Sequence, residues 1–375
     1  MKLVYPFPEP LPLDRARGVQ TVHTVAALAA HGVEVLLAYV PAGADPFAAY
    51  TVARPAGVEL APVSHRLPWP LGRVHSNRFF AARLARLVDR DVRAVLARHL
   101  KVACLLAERF PELPLVYEAH EVFADTAAPA RRAAMRRLEG RVVARAAALV
   151  ANSGATARRL RELYPVAVPL EVIPNGVDYP QTLPGKDWTL ARERVIYAGS
   201  FFGWKGVEDL VAAAARLPGF GIRLLGGDAA GIARLRALYE KAAGAGGARV
   251  DFAGRVPHGE VAGELARACI AVLPNRADPD SAFTSPIKLF EYMAAGCALV
   301  ASDLPSVREV LATDDAEWVA PGDAAGLAAA IRALADDPAR ASRMGERVRE
   351  KARAYTWSAR GERLARIVRP LLAGP

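Results

Sequence analysis

The chain holds little that would tie it to a membrane, a metal or a covalent framework. Its 375 residues include three cysteines, Cys104, Cys269 and Cys297. All three sit among apolar residues without C-x-x-C spacing, so they read as small buried hydrophobes in a reducing compartment, not as disulfides or zinc ligands. The chain has no run of the roughly 18 apolar residues that a membrane span needs. Met1 is not followed by a charged, apolar and small-residue leader, so a cytoplasmic protein is expected. No G-x-G-x-x-G follows the first predicted strand, which argues against a nicotinamide dehydrogenase.

Acidic side chains are also in deficit. Asp and Glu number 39 against 49 Lys and Arg, giving a net charge of +10 and a pI near 9.8. Such a surface attracts acidic ligands, anionic lipid or nucleic acid. The densest cluster is RRAAMRRLEGRVVAR, carrying Arg131, Arg132, Arg136, Arg137, Arg141 and Arg145. It lacks the interleaved aromatics of a single-strand binder, so nucleic acid is not an expected partner. The first reading is a solvated helix face with Leu138, Val142 and Val143 turned to the core. Peripheral docking on an anionic membrane is the second.

What is present is a large apolar fraction, 53% against 23% charged, enough for a sizeable core and at odds with wholesale disorder. The length suits two domains. Short apolar runs alternate with helical patterns throughout: KLVY, VEVLLAYV, a strand ending near Arg98, LPLVYEAHE and AALVANS in the first half. The second half repeats the scheme with RVIYAGS, GIRLLGG, RVDFAG, IAVLPN and CALVAS. The predicted fold class is α/β, with two Rossmann-like parallel-sheet domains facing across a cleft. The expected domains are residues 1–178 and 179–357, with a polar, Pro-containing linker over 179–194. A final helix, about 358–375, is expected to cross back to the first domain.

The most informative stretch is SAFTSPIKLFEYMAAGCALVASDLPSVREVL, from Ser281 to Leu311. Ser285 and Pro286 predict a helix start, a hydroxyl cap followed by proline at the first helical position. Gly296 is placed to end that helix, and Ser306 with Glu309 predicts a capping box for the next. A helix whose first amides emerge just after a strand is an anion site. Glu291, further along it, is placed to accept from hydroxyls, and an anion beside a diol describes a nucleotide phosphate and ribose. The plain alternative is a βαβ crossover with a Lys288–Glu291 surface pair.

Other strand ends add candidates. AGSFFGWKG brings Gly199 close to a phosphate and supplies the mobile charge of Lys205. GRVP places Arg255 and Val256 where backbone could meet a base, or in a simple turn. His120, with Glu121 after it, ends a buried strand and can hold a sugar hydroxyl or a developing charge. Arg98 adds an anion contact, and Gly18 a close backbone approach after the first strand.

IPNGVD, YAGSFFGWKG, FAGRVP and SPIKLFEYMAAGCALVASDLPSVREV, in this order, strongly resemble family-4 retaining glycosyltransferases of the GT-B fold. The resemblance runs over nearly the whole chain and includes YEAHE. It implies a nucleoside-diphosphate sugar, UDP- or GDP-linked, in the C-terminal domain and an acceptor mainly on the N-terminal one. It also implies retention of anomeric configuration with no metal and no further cofactor. By the resemblance, Glu291 holds the ribose, amides at Ser285–Ile287 with Lys205 hold the diphosphate, and His120 lies beside the donor sugar. The donor set then comprises Gly18, Gly199, Ser200, Lys205, Arg255, Val256, Thr284, Ser285, Pro286, Ile287 and Glu291. Arg98, Glu121, Asp280 and Phe283 stand as acceptor or sugar contacts. Two departures matter: Phe283 occupies the place of a second glutamate, and Ser200 the place of a basic residue. Asp278-Pro-Asp280 mimics the D-x-D metal motif of the other large glycosyltransferase fold, and Asp278 or Asp280 is read instead as reaching the sugar hydroxyls that Phe283 cannot. An epimerase or hydrolase on the same fold, and a binding protein without turnover, are the alternatives.

Overall fold

The computed structural model describes residues 1–13, 15–66, 76–88, 91–243, 246–283 and 285–374, with the side chains at 258, 279 and 280 outside that set. The chain divides into two compact units, Met1–Gly176 with Trp357–Pro375, and Val177–Thr356.

In the first unit, β1 (Lys2–Leu11), β2 (Glu34–Pro41), β3 (Val58–Pro62), β4 (Val92–Ala97), β5 (Leu115–Ala119), β6 (Ala148–Ala151) and β7 (Leu170–Val172) form one sheet. Its order is β3-β2-β1-β4-β5-β6-β7, and every pairing is parallel. The strands are near-continuous apolar runs because helices cover both faces of such a sheet. β1 runs well past the predicted KLVY: it continues through a proline-rich segment, with a register shift against β2 between Phe7 and Pro10. Proline cannot donate to the ladder, and the irregularity accommodates its missing N–H.

The Trp357–Ala373 helix belongs to this unit and packs on the Ala16–Ala30 helix. Leu364, Ala365, Val368 and Leu372 enter the same core as Leu3, Tyr5 and Leu28. The crossing is close at Gly361, where a Cβ would lie 2.6 Å from the Ala27 Cβ and 2.8 Å from its carbonyl oxygen.

The second unit has β8 (Val195–Ala198), β9 (Gly221–Leu225), β10 (Arg249–Gly254), β11 (Ile270–Leu273), β12 (Ala298–Ser302) and β13 (Glu317–Val319). Their order is β10-β9-β8-β11-β12-β13, again all parallel. Two apolar clusters cover its faces, one centred on Tyr197, Val272 and Ile331, the other on Leu273, Phe290 and Leu299. β13 is an edge strand of three residues, too short to show a period in sequence. The long helical region after it breaks at Asp337-Pro338 into Ala324–Asp336 and Pro338–Ala352.

Two expected caps are not as predicted. A short helix, Pro279–Ala282, follows β11, and the next helix is Ile287–Ala294, with Pro286 at the N-cap position and no side-chain cap among the described residues. The predicted Ser306–Glu309 capping box is also absent: Leu304 caps the short Pro305–Arg308 helix, and the Ser306 hydroxyl donates instead to the Ser281 carbonyl at 3.0 Å. The helix begins at Pro305, so Ser306 lies inside its first turn, past the N-cap position, and its hydroxyl serves a neighbouring segment instead. Gly296 does end its helix, at φ +65°. All three cysteines are free and buried, and no described helix is long and apolar enough to cross a membrane.

Gly361→Ala is expected to lower stability by roughly 1–3 kcal/mol, because the added methyl meets backbone that cannot move without separating two helices. Denaturant unfolding of the purified variant checks it, and an unchanged midpoint would contradict the close crossing.

Candidate functional site

In an open parallel sheet the loops leaving the strand C-termini diverge where the strand order reverses, and ligands bind there. In the second unit that point lies between β8 and β11. The Ile287–Ala294 helix lies between β11 and β12 in the chain and is pinned to the end of β8 by Tyr292. That buried hydroxyl accepts from the Ala198 N–H at 2.8 Å and donates to the Ala198 carbonyl at 3.1 Å. Gly199 comes next, at φ +148°, where a Cβ would stand 3.1 Å from the Tyr197 hydroxyl and 3.5 Å from Lys288 Nζ. Gly206 is equally constrained, since at φ +67° its Cβ would fall 1.9 Å from the Pro274 carbonyl oxygen. Arg276 grips Asp209 with two hydrogen bonds of 2.7 and 2.6 Å, fastening the loop after β11 to the helix after Gly206.

Lys288 is not the surface residue of a Lys288–Glu291 pair. It is 8% exposed, its ammonium donates to the Tyr197 hydroxyl at 3.1 Å, and it lies 4.1 Å from that ring's centroid. Tyr197 in turn donates to the Ser200 carbonyl at 2.8 Å. Burial, then the charge of Lys205, hold the Lys288 pKa well below the usual lysine range, against the pull of Glu291. Lys205 ends a 3-10 turn, its ammonium 3.5 Å above the Trp204 ring. Glu291 is partly buried; desolvation first, and Asp178 second, raise its pKa to about 7. Gly199, Ser200, Lys205, Ile287 and Glu291 thus gather around one helix start. Ser285 and Ile287 there are buried, and Pro286 brings no N–H, so the amides on offer come from its neighbours.

The remaining candidates of this unit lie elsewhere or outside the description. Arg255 is exposed and Val256 partly buried, both beyond the edge strand β10. Phe283 is partly exposed, Thr284 lies outside the described residues, and so does the side chain of Asp280. Among the described residues no group of three His, Cys, Asp or Glu is placed to hold a metal.

In the first unit the order reverses between β1 and β4. Arg98, just after β4, donates to Gln20 Oε1 at 2.5 Å, and Gln20 Nε2 donates to Glu118 Oε1 at 3.0 Å. His120 Nε2 lies 2.7 Å from the same Glu118 oxygen, and Arg360 of the C-terminal helix donates to it as well. Glu118 is completely buried; although burial acts to raise its pKa, Arg360 and His120 hold it far below the usual carboxylate range. Burial, with Arg98 next, lowers the His120 pKa to about 4. Two candidates stand apart from this network. Glu121 accepts from the Thr126 hydroxyl at 2.6 Å, and Gly18 sits inside a helix, not a loop, its Cβ space filled by the Tyr50 hydroxyl at 2.2 Å.

Residues 18–180 match the family described as Glycosyltransferase Family 4, and residues 192–337 the family described as Glycosyl transferases group 1. The chain belongs to the family-4-type glycosyltransferases of the GT-B fold. It is 29% identical over 308 residues to glycogen synthase of Mycobacterium tuberculosis, covering 76% of this chain and 71% of that protein. Among solved structures it is similar to sucrose-phosphate synthase of Thermosynechococcus elongatus, with a TM-score of 0.80 at 21% identity and full coverage of both chains. It is also similar to Anabaena HepE in complex with UDP-glucose, with a TM-score of 0.76 at 17% identity, over 99% of this chain and 100% of that one.

Sequence reasoning missed four residues that this glycosyltransferase gathers at the two switch points: Gln20, Glu118, Lys288 and Arg360. A signal existed for Glu118, a carboxylate inside the apolar strand LVYEA, where burial demands a partner. None existed for Arg360, which is 242 residues away in sequence.

Proposed function

We propose that the glycosyltransferase moves a hexose from a nucleoside-diphosphate donor to an acceptor hydroxyl, with retention of configuration and without a metal ion. The observation that supports this most is the start of the Ile287–Ala294 helix: no described side chain caps it, two lysines approach it, and Glu291 lies one turn along it. The helix amides take the diphosphate, and Lys205 and Lys288 neutralise the charge that develops on it as the glycosidic bond breaks. Lys288 supplies the positive charge that Ser200 cannot. Burial and the neighbouring Lys205 depress its pKa, and a bound diphosphate would raise it again. Ribose hydroxyls donate to Glu291. The acceptor attacks on the face the diphosphate leaves, and a phosphate oxygen takes the acceptor proton. The Val177–Thr356 unit binds the donor and the other unit the acceptor; Asp280 and Phe283 border the donor sugar, and Arg255 and Val256 the base. UDP-glucose is the donor to test first, because HepE was solved with it. Comparing nucleotide release with and without acceptors separates transfer from hydrolysis, and release in neither case would leave a binding protein.

Glu291→Ala is expected to weaken UDP-glucose binding by roughly 1.5–3 kcal/mol through loss of a charge-assisted partner. Calorimetry on the folded variant checks it; equal affinity removes Glu291 from the site. The sign of the pH dependence also follows. A carboxyl with a resting pKa of about 7 gains charge as pH rises, so the parent protein should bind UDP-glucose more tightly at about pH 8 than at about pH 6, and Glu291→Gln should abolish the trend.

Turnover is expected to persist in excess EDTA, the positive charge coming from amides and lysines. Loss of activity that magnesium or manganese restores would return Asp278 and Asp280 to a metal role.

A membrane-facing acceptor is the second part of the reading. All six arginines from Arg131 to Arg145 are exposed, and Met135 and Leu138 line a groove of about 660 Å³ between Arg137 and Arg141. Val142 and Val143 face the core as expected, while Leu138 remains partly exposed. Each arginine near an anionic surface contributes about 1 kcal/mol, screened by salt. The protein should co-sediment with anionic but not neutral vesicles at low salt and detach at moderate salt. No preference for anionic vesicles would point to an acceptor in solution.

A further inference from the structure

We propose that Glu118 is a positioning residue that holds His120 as the neutral Nε2–H tautomer, so that Nδ1 is the ring atom offered to a substrate hydroxyl. The proposal deepens the reading of His120 as a sugar contact and rests on it for its catalytic consequence, though not for the tautomer itself.

The proton can be traced from one group to the next. An arginine only donates, so Arg98 fixes Gln20 with its carbonyl oxygen toward Arg98, at 2.5 Å, and its amide nitrogen toward Glu118, at 3.0 Å. Glu118 Oε1 therefore accepts from Gln20, and it accepts again from Arg360. Arg360 cannot turn away, because its other nitrogens donate to the Thr24 hydroxyl at 3.1 Å and to the Ile173 and Pro174 carbonyls at 2.8 Å each. An oxygen that accepts from both an amide and a guanidinium carries no proton of its own, and the Arg360 charge keeps the group a carboxylate. The 2.7 Å contact to His120 then requires the hydrogen to sit on Nε2.

That leaves Nδ1. The charged groups facing the ring are Glu118 on its own strand, Arg98 from the end of β4 and Arg360 from the C-terminal helix. Burial of a side chain only 14% exposed, and then two cations against one anion, disfavour a second ring proton and keep the pKa near 4. At neutral pH Nδ1 is a bare acceptor, so a hydroxyl that meets His120 must donate to it. So weak a base orients a hydroxyl without deprotonating it, which leaves the acceptor proton to the departing phosphate. The C-terminal helix thereby acts on the reaction through Arg360 and Glu118, by deciding which nitrogen carries the hydrogen.

The test is long-range proton–nitrogen NMR on protein labelled at histidine, with His120 assigned by its loss in His120→Gln. The expected spectrum at neutral pH shows Nε2 protonated and Nδ1 bare, with no titration midpoint above about pH 5. An Nδ1–H tautomer, or a midpoint near the ordinary histidine value, overturns the proposal. Removing Glu118 alone strands Arg360, so the paired Glu118→Leu/Arg360→Met protein, which removes both charges, is the variant to use. In it no acceptor faces Nε2, so the ring is no longer held in the Nε2–H form and the Nδ1–H form is populated. The kcat for UDP release from UDP-glucose should then fall by about tenfold or more at unchanged KM for the donor. An unchanged tautomer, or a changed one with unaltered kcat, sinks the positioning role. A parent protein that releases no nucleotide from any nucleotide sugar counts against the proposed reaction, and the NMR result still decides the tautomer.

Discussion

Because every strand in both sheets runs the same way, each unit has a single edge at which the chain leaves the sheet, and functional loops can gather only there. The order reverses between β1 and β4 in one unit and between β8 and β11 in the other. Gly199 and the Ile287 helix start stand at one reversal, and Arg98 with the Glu118–His120 pair at the other. The rest of each unit keeps those exits still. Tyr292 binds its helix to the last residue of β8, Asp209 and Arg276 fasten two loops together, and Gly361 lets the last helix close on the first.

Both units carry a buried charge, and they treat it differently. Glu118 is matched by Arg360 and surrounded by donors, an arrangement in which removing one partner is far more damaging than replacing both. Among the described residues Lys288 donates to the hydroxyl of Tyr197, lies over its ring and makes no ion pair. A buried ammonium held this way is poised for an anionic ligand. The matched pair suits a fixed scaffold, and the unmatched lysine suits a site that is completed by what it binds.

The alternation of apolar runs and helical patterns made the two parallel sheets legible, because a strand buried on both faces must be apolar along its whole length. Gly296 was legible for a similar reason, since a left-handed helix end excludes side chains. Short-range polar choices were less so. Ser285 and Ser306 have the right residue type and spacing for caps, yet the helix starts elsewhere and Ser306 bonds a carbonyl 25 residues away. A hydroxyl takes whichever backbone group the fold brings nearest, and local sequence does not say which that is.

Sequence by itself determined the fold class, the glycine loop after β8 and the presence of a glutamate on the helix before β12, for these depend on periodicity and on neighbours within one or two turns. Only the tertiary structure decided that Lys288 is buried against Tyr197, that Gly18 makes room for Tyr50 and that Glu118 joins His120 to an arginine of the last helix. Each of these is a contact between segments far apart in the chain. The partner of a buried charge is chosen by the packing of whole elements, and no local pattern carries that choice.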